Sequence, residues 1–151
     1  MIQRIQSVFL FVSLCFMATL FFVPVAQLVY ETGEIYTFNL SGFSFTEAEI
    51  TVNKPQYSIM LFGILICVLN LVIIFTYKSR ILQIRLCIYN MLLLTGLMGI
   101  IFFSVYNVQN IQTVSFSLPV VFPVIAVILH YLAFRGIRKD EIMVQALSRL
   151  R

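Results

Sequence analysis

The sequence predicts an all-α membrane protein. Its outline is a four-transmembrane-helix bundle, with a small β-structured outer loop between helices 1 and 2 and a short amphipathic C-terminal helix. Three observations predict it. The stretches Ile5 to Tyr30, Pro55 to Tyr77 and Leu86 to Phe134 carry no Lys, Arg, Asp or Glu. The last is long enough for two spans, and Asn107, Gln109, Asn110 and Gln112 break it near its middle. The charges between the stretches then fall on alternating sides. One side gathers Arg4, Lys78, Arg80, Arg85, Arg135, Arg138, Lys139, Arg149 and Arg151 with Asp140 and Glu141; the other gathers Glu31, Glu34, Glu47 and Glu49 with Lys54. The first set nets +7 and the second −3, which together give the +4 of the whole chain. Basic loops mark the cytoplasmic side, so both ends are expected there. Finally, 61% of residues are hydrophobic, only 11% are charged, and mean hydropathy is +1.01. A single soluble domain of this size would leave too much apolar surface in water, whereas a bilayer accepts it.

The four spans are expected over about 5–25, 57–77, 86–106 and 117–134. The first is read as an uncleaved helix, because its apolar run exceeds the core of a signal peptide and Pro24 sits beside the only weak cleavage site. The outer loop, 26–54, reads as β structure. Leu28-Val29-Tyr30-Glu31 and Glu34-Ile35-Tyr36-Thr37-Phe38 flank Thr32-Gly33, and Ser41-Gly42 makes a second turn before Phe43-Ser44-Phe45. A sheet of two or three strands is expected, resting on helix ends because alone it would be marginal. The short turn 78–85 makes spans two and three antiparallel neighbours. Pro119 fits a helix start, and Pro123 is expected to tilt the remainder of span four. Small residues around Gly96 and Gly99, and Gly63, suggest close helix approaches. In the tail, 135–151, Ile137, Met143, Val144, Ala146, Leu147 and Leu150 gather on one side of a helix. Arg138, Glu141, Gln145, Ser148 and Arg149 oppose them. That pattern predicts a short helix lying on the inner membrane face, with Arg135, Arg138, Lys139, Arg149 and Arg151 toward anionic lipids or a partner.

Chemistry-bearing residues are few. No carboxylate, Lys or Arg lies within a span, which weighs against proton-coupled carriers and paired-carboxylate hydrolases. His130 is the sole histidine, so a His-rich metal site and a bis-histidine haem are excluded within one chain. Cys15, Cys67 and Cys87 sit singly on three spans, without a CxxC pair. The basic pI of about 9.2 comes from span ends and argues for lipid head groups, not nucleic acid. One constellation remains. Asn70, Asn90 and His130 lie at nearly the same depth, ~8–12 Å inside the cytoplasmic boundary, with Ser13 close to that layer. They read as cross-helix glue, or as a small polar cavity for a lipid head group or quinone.

Several peptides together carry a resemblance: Met1 to Gln6, Leu82 to Cys87 leading into Asn90 to Leu94, Arg135 to Glu141, and Ser148 to Arg151. In order and spacing the whole chain resembles an uncharacterised family of small four-pass inner-membrane proteins, found chiefly in the Bacteroidetes, that constitutes a domain of unknown function. The resemblance implies a four-helix membrane fold and a bacterial setting, and no activity, cofactor or site. In outline the chain is also similar to claudin-type tetraspan proteins, without the paired cysteines and Trp of their first outer loop. The expected role is non-enzymatic and cofactor-free: a scaffold or accessory subunit acting through lipids or a larger membrane complex. The alternative is a small transporter or a lipid- or quinone-binding protein using the polar layer.

Overall fold

In the computed structural model, four helices each bury residues at intervals of three and four. They are α1 (Gln3–Thr19), α2 (Tyr57–Phe75), α3 (Arg80–Tyr106) and α4 (Phe122–Arg149). The inward stripes are Gln6, Leu10, Ser13 and Met17 on α1, and Ile59, Gly63, Ile66, Asn70 and Ile73 on α2. On α3 the stripe runs from Gln83 through Cys87, Asn90, Leu94, Leu97 and Ile101 to Val105. On α4 it is Ala126, His130, Ala133 and Ile137. A mean spacing of about 3.5 keeps one narrow seam of each helix facing its neighbours over many turns. The structure describes residues 3–30, 35–47, 50–77, 79–107 and 111–149. Glu31, the Thr32-Gly33 turn, Glu34, Glu49, Lys78, Gln109, Asn110, Leu150 and Arg151 lie outside the described residues. Of Arg4, Tyr30, Phe45, Glu47, Lys54, Gln112, Leu147, Ser148 and Arg149 only the backbone is described.

The helices close a ring. α1 packs on α4 and α2, and α3 packs on α2 and α4. Neighbours in sequence are therefore neighbours in space, and the first helix meets the last. The expected pairing of the second and third helices is present. Among the described residues, three helices are long and apolar enough to cross a membrane: Tyr57–Phe75, Arg80–Tyr106 and Leu118–Ala146. α1 is shorter, with 17 residues, or about 25 Å.

Its end departs from the expected 5–25. The helix stops at Thr19, and the chain turns through Leu20 and Phe21, with Phe21 and Phe22 amides donating to Ala18 and Thr19 carbonyls at 3.2 and 3.1 Å. Val23 still donates to the Thr19 carbonyl at 3.1 Å, but Pro24 follows, and a proline disfavours the helical region for the residue before it. Hydropathy misses this end because the strand beyond it is just as apolar.

The sheet has five antiparallel strands: β1 (Ala26–Tyr30), β2 (Ile35–Asn39), β3 (Gly42–Glu47), β4 (Ile50–Pro55) and β5 (Ile111–Phe116), in the order β4-β3-β2-β1-β5. It thus exceeds the two or three strands expected, and it is not confined to the loop between α1 and α2. β5 comes from the polar break between α3 and α4 and pairs along β1, from Ala26↔Phe116 to Val29↔Thr113, with an irregularity before Tyr30↔Ile111. Its sequence, Ile-Gln-Thr-Val-Ser-Phe, alternates as a half-buried strand does. The Leu40-Ser41 turn leaves Asn39 opposite Gly42, whose φ of 137° suits glycine.

The sheet sits on one end of the ring. Ala26, Leu28, Phe38 and Leu40 are fully buried in the same cluster as Met17, Leu20, Ile59, Leu97 and Val105. The amide of Ser117 donates to the Val25 carbonyl at 2.9 Å, and Phe116 packs edge-on against Phe102 at 5.5 Å. One apolar core therefore runs from helices into sheet. A second cluster, with Leu10, Ile73, Cys87, Ala133 and Ile137, fills the opposite end.

Two further corrections concern the helical elements. The turn expected over 78–85 is shorter, since α3 is helical from Arg80. The separate C-terminal helix does not exist as such: α4 continues unbroken from Phe122 to Arg149. No glycine–proline break separates membrane-like and charged halves, and Gly136, alone in an otherwise good helical run, does not end it. Pro123 lies in the first turn of α4, where its missing N–H has no helical partner to lose. Leu118–Val121, with Pro119, forms a short 3₁₀ turn before it.

Candidate functional site

Ser13, Asn70, Asn90 and His130 each occupy the inward stripe of a different helix, and all four are completely buried. The structure joins them into one network. Asn70 Nδ2 donates to Ser13 Oγ at 3.5 Å. Ser13 Oγ lies 3.1 Å from His130 Nδ1. Asn90 Nδ2 lies 2.9 Å from His130 Nε2. His130 Nδ1 also lies 2.9 Å from the carbonyl oxygen of Ala126, one turn back on α4.

The last contact assigns the tautomer. A carbonyl oxygen only accepts, so Nδ1 carries the proton and donates to Ala126. Nε2 is then a lone pair that accepts from the Asn90 amide. The ring is neutral in this arrangement. The Ser13–His130 pair has the separation of a nucleophile and its base. It does not activate Ser13 here, because the nitrogen facing the hydroxyl already holds a proton. The layer instead links four helices at one depth. Asn70 Oδ1 and Asn90 Oδ1, both buried, accept no hydrogen bond among the described residues.

A second polar tier lies nearer the end opposite the sheet. Gln6 Nε2 donates to Asp140 Oδ2 at 2.7 Å, tying α1 to α4. Gly136 makes room for it, since a Cβ there would sit 3.0 Å from Gln6 Cγ and Nε2. Gln83 Nε2 donates to the Ile73 carbonyl at 3.2 Å. Arg80 reaches the Asp140 carbonyl at 3.5 Å. Sequence reasoning misses this tier. Its signal is Asp140, an acid within an apolar stripe, which blurs the amphipathic pattern instead of breaking it at random. Among the described residues, no three His, Cys, Asp or Glu side chains come together.

The tail residues separate onto two faces of α4. Arg135, Arg138 and Lys139 are exposed on the outward face, in line with exposed Val124, Ile128 and Tyr131. The inward stripe meanwhile continues past Ile137 to Val144, seven residues or two turns on. Ile137 is buried, but Val144 is 47% exposed. It lines a hollow with Ser79, Arg80, Ile81 and Glu141. Side-chain placement of Arg149 is not described, and Arg151 lies outside the described residues, so the structure does not place these two with the others.

Among known proteins, residues 2–150 match the family described as a domain of unknown function (DUF4293). No curated protein matches the chain.

Proposed function

We propose, from the premise that this chain belongs to the DUF4293 family, that it is a non-enzymatic four-pass protein of the bacterial inner membrane. In this reading it serves as a scaffold or accessory subunit for a larger membrane complex. The observation that carries it is the inward stripe of α4 outrunning the ring. Val144 keeps the core-facing register of Ile137 but is left half-exposed, and Arg80, Ile81 and Glu141 wall the hollow around it. An apolar side chain framed by charges of both signs is the form of a protein-docking surface. Four passes are supported by α1 packing along both α4 and α2, and by the apolar Leu20 to Val25 turn that lengthens its path. Cytoplasmic ends are supported by the charge asymmetry.

Two measurements test this. Extracted into nanodiscs from its own membrane, the protein should appear in native mass spectrometry with a stoichiometric protein partner. Val144→Asp should abolish that partner while the fold persists. A bare chain, or a partner indifferent to Val144→Asp, would sink the reading. For topology, cysteine replacing Gln145 should react with an impermeant maleimide only when the cytoplasmic face is opened. Cysteine replacing Ser41 should react from outside in intact cells stripped of their outer layer. The reverse pattern would invert the orientation.

A second reading has one observation in its favour. The Oδ1 atoms of Asn70 and Asn90, unpartnered among the described residues, could hold a donor group of a small ligand, as in a lipid- or quinone-binding protein or a small transporter. Reproducible co-purification of one small molecule, lost in Asn90→Leu, would favour it.

A further inference from the structure

The outward face of α4 carries three neighbouring cations. Arg135, Arg138 and Lys139 are exposed, at spacings of three, four and one. The nearest acids in sequence are engaged elsewhere: Asp140 accepts from Gln6 on α1, and Glu141 accepts from Gln145 at 3.0 Å. Among the described residues no carboxylate pairs with any of the three. They line an open hollow of about 500 Å³ together with Tyr131, Phe134, Ile142 and Met143.

The surroundings fix the kind of anion that suits it. On the sheet side the same face is purely apolar, since Val124, Ile128 and Tyr131 are exposed and succeed one another at helical spacing. Arg135 begins the basic cluster one turn beyond Tyr131. At Asp140, next to Lys139, Gln6 of α1 and Arg80 of α3 also meet α4, so polar groups of three helices gather at the far end of the cluster. An occupant must be anionic at one end and apolar over the length leading toward the sheet. It must also lie where a bilayer's head groups meet its hydrocarbon. Aromatic rings with cations directly behind them are the side chains that suit this boundary.

We propose that this face of α4 is a binding site for one anionic phospholipid. Arg135, Arg138 and Lys139 hold the phosphate. Tyr131 and Phe134 wall the glycerol region, and the acyl chains run along Ile128 and Val124. The site rests on the membrane setting of the proposed function but does not depend on the docked protein. It uses the face of α4 turned away from Val144.

The test is native mass spectrometry of the full-length protein in a neutral detergent, titrated with dioctanoyl phosphatidylglycerol or dioctanoyl phosphatidylcholine. One phosphatidylglycerol per chain should bind in preference to phosphatidylcholine. Arg135→Gln, Arg138→Gln and Lys139→Gln should each weaken it on the order of fivefold, and the triple variant should lose the preference. Arg85→Gln, on another helix, should keep it. Millimolar inorganic phosphate should not displace the lipid, because it lacks the chains. Equal binding of the two lipids, or an unchanged preference in the triple variant, would overturn the proposal, and so would displacement by phosphate alone. Val144→Asp should leave lipid binding intact, so a failure here and a failure of the protein-docking reading are distinguishable.

Discussion

Gly63→Val is expected to be among the most destabilising single substitutions in this protein. A Cβ on Gly63 would lie 2.8 Å from Leu40 Cδ2 and 3.0 Å from Phe21 Cζ. Both neighbours belong to the junction between helices and sheet; Phe21 is partly buried, but Leu40, the closer of the two, is fully buried and has no free space to retreat into. Gly63→Ala should cost about 1–2 kcal/mol, since overpacking outweighs the helix propensity that alanine gains. Gly63→Val should cost about 3 kcal/mol or more. Thermal unfolding in detergent, tracked by loss of monodisperse protein, measures the order. Two comparisons isolate the cause. Gly99 has nothing within 4 Å of its virtual Cβ, so Gly99→Ala should be neutral or stabilising by up to about 1 kcal/mol. Leu40→Ala should partly relieve Gly63→Ala, making the double variant less damaged than the two losses combined. If Gly63→Ala and Gly99→Ala behave alike, the close approach at the sheet junction is not what glycine serves there.

His130→Ala should have an effect of similar size for a different reason. It removes a fully buried ring and leaves Asn90 with neither end of its amide paired, because Oδ1 already lacks a partner among the described residues. Cavity and orphaned donor together imply a loss of about 2–4 kcal/mol. Ser13→Ala should cost less, about 0.6 kcal/mol, the average worth of a cross-helix hydrogen bond in a membrane. The informative measurement is the cycle of His130→Ala with Asn90→Ala. A coupling of about 0.5–3 kcal/mol is expected for residues in one network. Additive losses would mean that the 2.9 Å contact contributes nothing of its own.

The polar layer is legible in the sequence because depth along a helix comes directly from residue count. Asn70, Asn90 and His130 can be placed at one level from their distances to the flanking charges, without knowing which helices touch. That Ser13 stands between Asn70 and His130 needs the ring order, and nothing in one sequence states which helix neighbours which. The unbroken α4 escapes for a related reason. Polarity changes sharply at Arg135, and a change of environment along the chain imitates a change of element. Backbone hydrogen bonding takes no account of that change. Gly96 and Gly99 show the same limit from the other side: their spacing permits close approach, but a Cβ on Gly96 would meet Phe62 at an ordinary 3.9 Å and one on Gly99 nothing within 4 Å, whereas Gly63 and Gly136 carry the tight contacts. β5 stays hidden because its residues lie beyond a polar break that also serves as a plain loop. Only the unpaired edge of β1 gives it a purpose.

That pairing has a consequence in time. Strands β1 to β4 are contiguous in sequence and can assemble as soon as residue 55 has been delivered. β5 cannot join until α3 has been made and threaded, because Ala26 must wait for Phe116, and closing so long a loop is entropically slow. Throughout that interval one side of β1 offers bare amides and carbonyls to any extended chain nearby. The sheet is therefore a clasp that only the last third of the chain can fasten. A polypeptide truncated after α3 would keep α1 to α3 yet leave the clasp open.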